Sequence, residues 1–373
     1  MANPCKSTTP AGLHQTRQGI GPLLRSALWL WGRSGPRRLL FFLRNGRRLW
    51  SANRRRLRQM KQLDISLPTV LAISPTMRCN YNCRGCYSRG RPLEDELSGR
   101  ELDALFHEAE QLGIPVVVVT GGEPLLHPDL LQLISERRHL FFVMITNGTM
   151  VTQEVAQQVA RSGNIVLLVS IEGSPADTDG RRRPGAYTAV MDAFANLRAA
   201  GAFFGFAATN STANTAYLGS DAFIEKMIDC GCGVGFFSEY VPCGPNVHPD
   251  WVLGEMQRDA FRRRVLELRR AKPLVLIQFP QDEYGEDNYC SAAGRASLHI
   301  NSQGGIEPCP FIAVACENIR EGGLLAACRS PFLQAIREQP ELLRRKRFAC
   351  ALFEHLTEIE TIADRLKCGT GTL

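Results

Sequence analysis

Between residues 69 and 245, apolar runs rich in β-branched side chains alternate with amphipathic stretches, and this alternation leaves few architectures open. The apolar runs fall at 69–74, 116–119, 141–146, 165–171, 202–208 and 233–241. The stretches between them, near 98–112, 128–138, 152–162, 187–200 and 221–229, carry apolar residues at helical spacing. Strands that alternate with helices of this length predict a parallel sheet of βα units. The scarcity of polar residues inside the runs fits strands covered on both faces. Several runs end in small or polar groups: Thr120-Gly121-Gly122-Glu123, Thr146-Asn147-Gly148, Ser170-Ile171-Glu172 and Ala208-Thr209-Asn210. In parallel α/β folds ligands bind at the carboxyl ends of strands, so polar residues collect on the rim where chemistry is expected.

A chain of 373 residues can bury a sizeable core. Its 44% hydrophobic and 22% charged residues exclude global disorder. No run approaches the roughly 20 apolar residues of a membrane-spanning helix. The net charge of +7 is uneven: the first sixty residues hold 13 of the 44 Lys and Arg and no Asp or Glu, leaving 31 basic against 37 acidic residues in the rest. Residues 1–20 are polar and read as disordered. Residues 21–60 interleave Arg37, Arg38, Arg44, Arg47, Arg48 and Arg54 to Arg56 with apolar clusters at Leu23, Leu24, Ala27 to Trp31, Leu39 to Leu43, Leu49 and Trp50. This pattern predicts an interfacial helix on an anionic membrane surface. A helical extension packed on the body is the plainer alternative, and a nucleic-acid arm the weaker third. The 13 cysteines are odd in number and no secretory signal is apparent. The expected compartment is the cytosol, with peripheral attachment to the inner face of the membrane, and the expected roles of cysteine are ligand, catalyst or core residue rather than disulfide.

The densest chemical signal is Cys79-Asn-Tyr-Asn-Cys83-Arg-Gly-Cys86, directly after the first apolar run. Three thiolates within eight residues of one loop can converge on a metal centre. Zinc would want a fourth nearby ligand, and the nearest histidine, His107, falls in a helical segment. A 4Fe–4S cluster held by three cysteines instead keeps one iron open for chemistry. Together with Gly121-Gly122-Glu123-Pro124 after the second run, Thr146-Asn147-Gly148 after the third and Ser170-Ile171-Glu172-Gly173 after the fourth, this loop resembles the radical SAM superfamily over residues 69–245, and more loosely to about 355.

The resemblance implies an α/β fold, a partial (βα)6 TIM-type barrel, with Cys79, Cys83 and Cys86 holding a 4Fe–4S cluster that binds S-adenosylmethionine. One electron from an external flavodoxin- or ferredoxin-like reductant then cleaves the sulfonium bond, and the 5′-deoxyadenosyl radical abstracts hydrogen from the substrate; that chemistry belongs to the cofactor. By the same resemblance Gly121 and Gly122 let the backbone approach the cofactor, and Glu123 orients its amino group. Asn147 and Ser170 contact the ribose or carboxylate, and Glu172 makes a second ribose contact. A helix-cap charge for Glu123 and a simple turn for Asn147 are the plainer alternatives. Gly85 stands where many members carry an aromatic residue near the adenine, and Tyr87 follows instead. The segment Asp177-Thr-Asp179-Gly-Arg181-Arg182-Arg183 reads as a solvated charged loop or as a bidentate anion site. Cys243 ends the sixth run and reads either as substrate-facing or as a small buried hydrophobe. Cys230 and Cys232, at the opposite end of that run, read as structural.

An arginine-rich helix is expected from 253 to about 271, with a boundary near 280. Beyond it, Cys290, Gly304 and Cys309 follow a Cys-x13-Gly-x4-Cys spacing, and Leu298 to Asn301 with Ile306 to Cys309 fit a hairpin around a Gly-Gly turn. The spacing is similar to the twitch or SPASM-type extension of radical SAM proteins, which implies one auxiliary 4Fe–4S cluster held by Cys290, Cys309 and Cys350, with Cys316, Cys328 and Cys368 as competitors. Structural zinc is the alternative. The expected organisation is a basic amphipathic arm over 1–65, a partial barrel over 66–280 and a small iron–sulfur extension over 281–373. The expected function is a radical SAM enzyme that oxidises, cross-links or rearranges a peptide or cofactor precursor. The alternatives are a lipid or isoprenoid substrate, prompted by the arm, and a non-catalytic iron–sulfur electron carrier. Nucleic acid is not an expected partner.

Overall fold

The structure, a computed structural model, describes residues 36–284, 288–366 and 368. The apolar clusters at Leu23, Leu24 and Ala27 to Trp31 and the expectation for residues 1–20 lie outside them. Nine strands form one sheet: β1 (Val70–Ile73), β2 (Val116–Val119), β3 (Phe141–Thr146), β4 (Ile165–Ser170), β5 (Phe204–Asn210), β6 (Val234–Glu239), β7 (Val275–Phe279), β8 (Ser297–Ile300) and β9 (Ile306–Glu307). Their spatial order is β7-β6-β5-β4-β3-β2-β1-β8-β9. Every pairing from β7 to β8 is parallel, and only β8 and β9 run antiparallel. The sheet curls into a partial barrel with helices outside.

The helices that return the chain between strands are α2 (Gly99–Leu112), α3 (Leu130–Glu136), α4 (Gln153–Ser162), α5 (Pro175–Arg181), α6 (Ala186–Ala200), α7 (Thr215–Leu218), α8 (Asp221–Cys230) and α9 (Glu255–Ala271), preceded by α1 (Pro36–Leu63). Their ends carry ordinary signals. Ser98 and Glu101 cap the start of α2 reciprocally, and Gly113 ends it with φ 76°. Strand residues alternate between two cores. Phe142, Met144, Leu167 and Val169 pack outward with the helices, while Val143, Ile145, Val166 and Leu168 face the barrel interior. Those that are fully buried, such as Phe142, Met144, Leu167 and Val169, contribute roughly 1.5–3 kcal/mol each.

Two elements differ from expectation. The segment 177–183 is not a solvated loop: Ser174 and Asp177 form a capping box behind Pro175, and α5 results. The hairpin is present, with His299 opposite Glu307, but β8 also pairs in parallel with β1, so the C-terminal region is stitched into the core sheet. Behind it, α10 (Ile319–Cys328), α11 (Pro331–Arg337), α12 (Pro340–Leu343), α13 (Ala351–Glu354) and α14 (Leu356–Arg365) form a small helical layer. Among the described residues no helix is long and apolar enough to cross a membrane.

Helix α1 lies across the amino-terminal ends of the strands. Phe41 packs on Phe141 and Phe203 with ring centroids 6.2 and 5.0 Å apart, and Phe42 on Phe203 at 4.9 Å. Asn45 and Arg48 both donate to the carbonyl of Gly163, at 2.9 and 3.2 Å, and buried Arg56 donates to that of Leu67 at 2.7 Å. The carboxyl ends of the strands are left to the site.

Candidate functional site

At the end of β1 the chain passes Ser74 to Arg78 and enters the cysteine loop. Gly121 and Gly122 after β2 press against this exit: the Gly122 N–H donates to the Thr76 carbonyl at 2.9 Å, and the Glu123 N–H to that of Arg78 at 2.8 Å. A Cβ on Gly122 would stand 2.2 Å from the Arg78 carbonyl oxygen, and one on Gly121 2.5 Å from that of Thr76, so only glycine allows this approach. The Glu96 carboxylate fastens the exit by accepting from the Thr76 hydroxyl (2.6 Å) and the Met77 N–H (2.8 Å).

Cys79 is exposed and Cys83 and Cys86 half-buried. The Tyr81 N–H donates to the Cys79 sulfur at 3.4 Å. Burial pushes the Cys83 thiol up, and the guanidiniums of Arg182 and Arg181 pull it back in part. His107 is remote from this loop, exposed on α2 and paired with Gln111.

The other strand ends converge on the same place. Asn147 donates to Asn80 at 2.7 Å, which sets it beside the cysteine loop. Ser170 lines the cavity below. Glu123 is fully buried and accepts from the Thr146 hydroxyl and the Asn147 N–H, both at 2.7 Å, and from the Leu125 N–H at 3.2 Å. Burial pushes its carboxyl up, and these donors oppose the shift. Its carboxylate therefore ties the β2 and β3 ends together and reaches the site through Asn147. Glu172 is likewise held by partners within the protein. Its carboxylate is buried and paired with Arg181 at 2.6 Å and Arg182 at 2.5 Å, with the Thr209 N–H at 3.2 Å. Burial would raise it, but the two guanidiniums hold it below the usual carboxylate range. Arg183 lies over the Tyr81 ring at 5.3 Å.

The space left by Gly85 is filled from elsewhere. A Cβ there would meet Tyr240 at 2.9 Å and Trp251 at 3.2 Å. Tyr240 follows β6, lines the cavity, and its hydroxyl accepts from the His248 N–H at 2.9 Å. Sequence reasoning missed this pair because Gly85 and Tyr240 are distant along the chain. Tyr87 lines the same cavity, with its hydroxyl at 2.6 Å from that of Thr120 and its ring packed on Phe311.

Cys290, Cys309 and Cys350 are buried, and they line the same cavity of about 710 Å³ as Cys79, Cys83 and Cys86. Burial raises all three thiols, Cys350 to about 11, and the Cys350 sulfur adds to the shift of the other two. Of the competitors, Cys316 and Cys368 are joined to each other in a disulfide, against the expectation of no disulfide. Cys328 is pushed to about 12 by burial, with Arg337 and Glu108 as its charged neighbours. Cys243 follows β6 and is half-buried. Burial pushes it to about 12, and the Cys350 and Cys86 sulfurs contribute.

A buried polar chain links the two halves. Ser74 meets His299 at 2.8 Å, His299 meets Glu307 at 2.8 Å, and Arg91 closes on Glu307 at 2.5 Å. Arg91 follows the cysteine loop, and Glu307 lies two residues before Cys309.

Residues 73–212 match the family described as the Radical SAM superfamily. The AdoMet-dependent heme synthase of Methanosarcina barkeri is 27% identical over 282 residues, which cover 68% of this chain and 80% of that protein. The mycofactocin maturase MftC of Mycobacterium tuberculosis is 31% identical over 150 residues, 39% of this chain and 38% of that protein. Streptococcus suis SuiB bound to S-adenosylmethionine shares the fold with a TM-score of 0.64 at 18% identity, over 76% of this chain and 71% of that one. Native anSMEcpe with bound AdoMet does so at 0.59 and 13%, over 80% and 97%.

Proposed function

The chain belongs to the radical SAM superfamily, whose enzymes use a 4Fe–4S cluster and S-adenosylmethionine, and from that premise we propose that it abstracts hydrogen from a small carboxylate-bearing cofactor precursor. The observation that carries the reading is the single cavity that the two cysteine trios share with the Gly121–Gly122 turn. Among the described residues no three His, Cys, Asp or Glu side chains stand close enough to hold one metal ion. A cluster spreads its thiolate ligands over the corners of an iron–sulfide cube, so all-cysteine trios on separate supports suit it better than a mononuclear site.

In this reading Cys79, Cys83 and Cys86 hold the cluster that engages S-adenosylmethionine. Cys290, Cys309 and Cys350 hold the auxiliary one, and Cys243 is the thiol in reach as its fourth ligand. When bound, cluster and S-adenosylmethionine together supply one-electron chemistry that ends in hydrogen abstraction. The chain's own residues do the positioning. Gly121 and Gly122 admit the cofactor backbone-close, Asn147 and Ser170 offer polar contacts, and Tyr240 offers the aromatic face that Gly85 does not. Glu172 fixes Arg181 and Arg182 toward the cavity, where they favour an anion.

Arg78, Arg89, Arg91, Arg181 and Arg182 line the cavity against two acids, Glu239 and Glu283. Glu239 is paired with Arg258, and burial pushes the Glu283 carboxyl up toward its neutral form. Arg78 and Arg91 are themselves paired with Glu96 and Glu307, but Arg181 and Arg182 share the single Glu172, and the cation excess that remains with Arg89 supports a carboxylate-bearing substrate. So does the reach of the likeness: relatives named as heme synthase match over more than two thirds of the chain, whereas the peptide maturase matches over 150 residues.

The test is anaerobic. The reconstituted, reduced protein is given S-adenosylmethionine, and 5′-deoxyadenosine is measured with and without carboxylate-bearing tetrapyrroles or precursor peptides. Stimulation by the tetrapyrrole arm with a matching mass change supports the reading. Stimulation by peptide alone overturns its substrate, and no product from a protein that holds its cluster overturns its chemistry.

A further inference from the structure

Helix α1 presents two different faces, and the barrel accounts for only one. The inner face, with Phe41, Phe42, Asn45, Arg48 and Arg56, packs on the amino-terminal ends of the strands. The outer face runs Leu40, Leu43, Arg47, Trp50, Arg54, Leu57 and Lys61, a line at alternating spacings of three and four residues. Leu40, Leu43, Trp50 and Leu57 are 63%, 59%, 62% and 41% exposed, and they are four of the ten large apolar side chains left exposed among the described residues. Such concentration on one helix is not the scatter expected of a solvated surface.

The cations of this face have no anionic neighbour on the helix, since residues 36–63 contain no Asp or Glu. Arg54 lies over the Trp50 ring at 4.7 Å. A second copy of this helix is a poor occupant, because a symmetric pair would bring Arg47, Arg54 and Lys61 against like charges. A surface that is both apolar and anionic is a good one. Leucine and tryptophan enter the headgroup boundary while arginine stems lie along it with their charges on phosphates.

We propose that the outer face of α1 docks the enzyme on an anionic lipid bilayer. Because α1 covers the strand ends opposite those that carry the cysteine loop, docking turns the cavity away from the lipid. The substrate is then taken from the aqueous side, which disfavours a bilayer lipid as the molecule acted on.

The experiment co-sediments the intact reconstituted protein with vesicles of phosphatidylcholine alone or mixed with phosphatidylglycerol. Binding is expected only to the mixed vesicles and is expected to weaken with salt. Two variants, Leu43→Ser with Trp50→Ser and Leu57→Ser, and Arg47→Glu with Arg54→Glu, should each bind at least ~10-fold more weakly, with 5′-deoxyadenosine formation in solution unchanged. No binding to the mixed vesicles at low salt overturns the proposal. So does undiminished binding by both variants, retention of duplex DNA or RNA in place of vesicles, or a dimer in solution that the serine variant dissociates.

Discussion

A methyl group at residue 122 has nowhere to go. Its Cβ would stand 2.2 Å from the Arg78 carbonyl oxygen and 2.6 Å from that of Met77, both backbone atoms on the chain that enters the cysteine loop. Gly122→Ala is expected to fold, since the turn lies at a rim, but to push the two loops apart. A displacement near 1 Å in a positioning element costs on the order of 100-fold, so 5′-deoxyadenosine formation should fall by about that much while circular dichroism is retained. Arg182 makes a different case. Removing it leaves the buried Glu172 carboxylate with Arg181 and the Thr209 N–H. Leaving a buried charge with no partner costs roughly 3–5 kcal/mol; because Arg181 and the Thr209 N–H still hold Glu172, Arg182→Ala should lower the melting temperature by less than that full loss implies, and Glu172→Gln should restore part of it in the double variant. The thiols of the cysteine loop were legible because their spacing is local. The partners of Glu123 and Gly85 were not, because they lie on other strand ends that only the closed sheet brings near, and Arg181 and Arg182, though only nine and ten residues past Glu172, are turned back onto it by α5.

At the scale of elements, α2 shows how one carboxylate serves both a helix end and a contact between regions. Glu101 accepts from the Ser98 hydroxyl and N–H, at 2.6 and 2.8 Å, and from Arg320 at the start of α10, at 2.6 Å. The Ser98 hydroxyl first, and then Arg320, hold its carboxyl down to about 2. In the unfolded chain it returns to the ordinary value near 4.5. The unfolded state therefore binds the proton first, so the stabilisation is present in full above pH 4.5 and is lost as pH falls toward about 2. Glu101→Gln keeps the cap but cannot titrate. The gap in melting temperature between wild type and variant should be widest near neutral pH and should close in acid. A gap that stays constant with pH would remove Glu101 from the account. The sequence showed α2 and most strands through periodicity alone. It also carried the start of α5, in Ser174-Pro175 with Asp177 three residues after the cap, a signal outweighed by the charge of the run. The parallel partnership of β8 with β1 carried no local signal: Thr69 bonds to Ala296, 227 residues away, and nothing in either strand names the other.

For the molecule as a whole, the joining of two regions around one cavity sets how it should come apart. The barrel is the more densely packed part, with strands such as β4 buried along their whole length, and its outer core runs on into the C-terminal region through Leu298, Leu324 and Phe332. The C-terminal region has short helices of 4 to 10 residues, and its cysteines come from three separate segments that meet at the cavity. It is fastened to the barrel by the β8–β1 pairing, the Ser74–His299–Glu307–Arg91 chain and the Glu101–Arg320 pair. Iron held by Cys290, Cys309 and Cys350 would cross-link those three segments, and metal binding of this kind contributes directly to folding free energy. Chelating the iron should therefore raise amide exchange across residues 288–366 and around the cysteine loop first, with β4 and α4 still protected, because local opening draws on the least densely packed units. If β4 lost protection together with the extension as chelator was added, the two regions would form one cooperative unit. The polar chain through His299 would then bind them more tightly than the iron does.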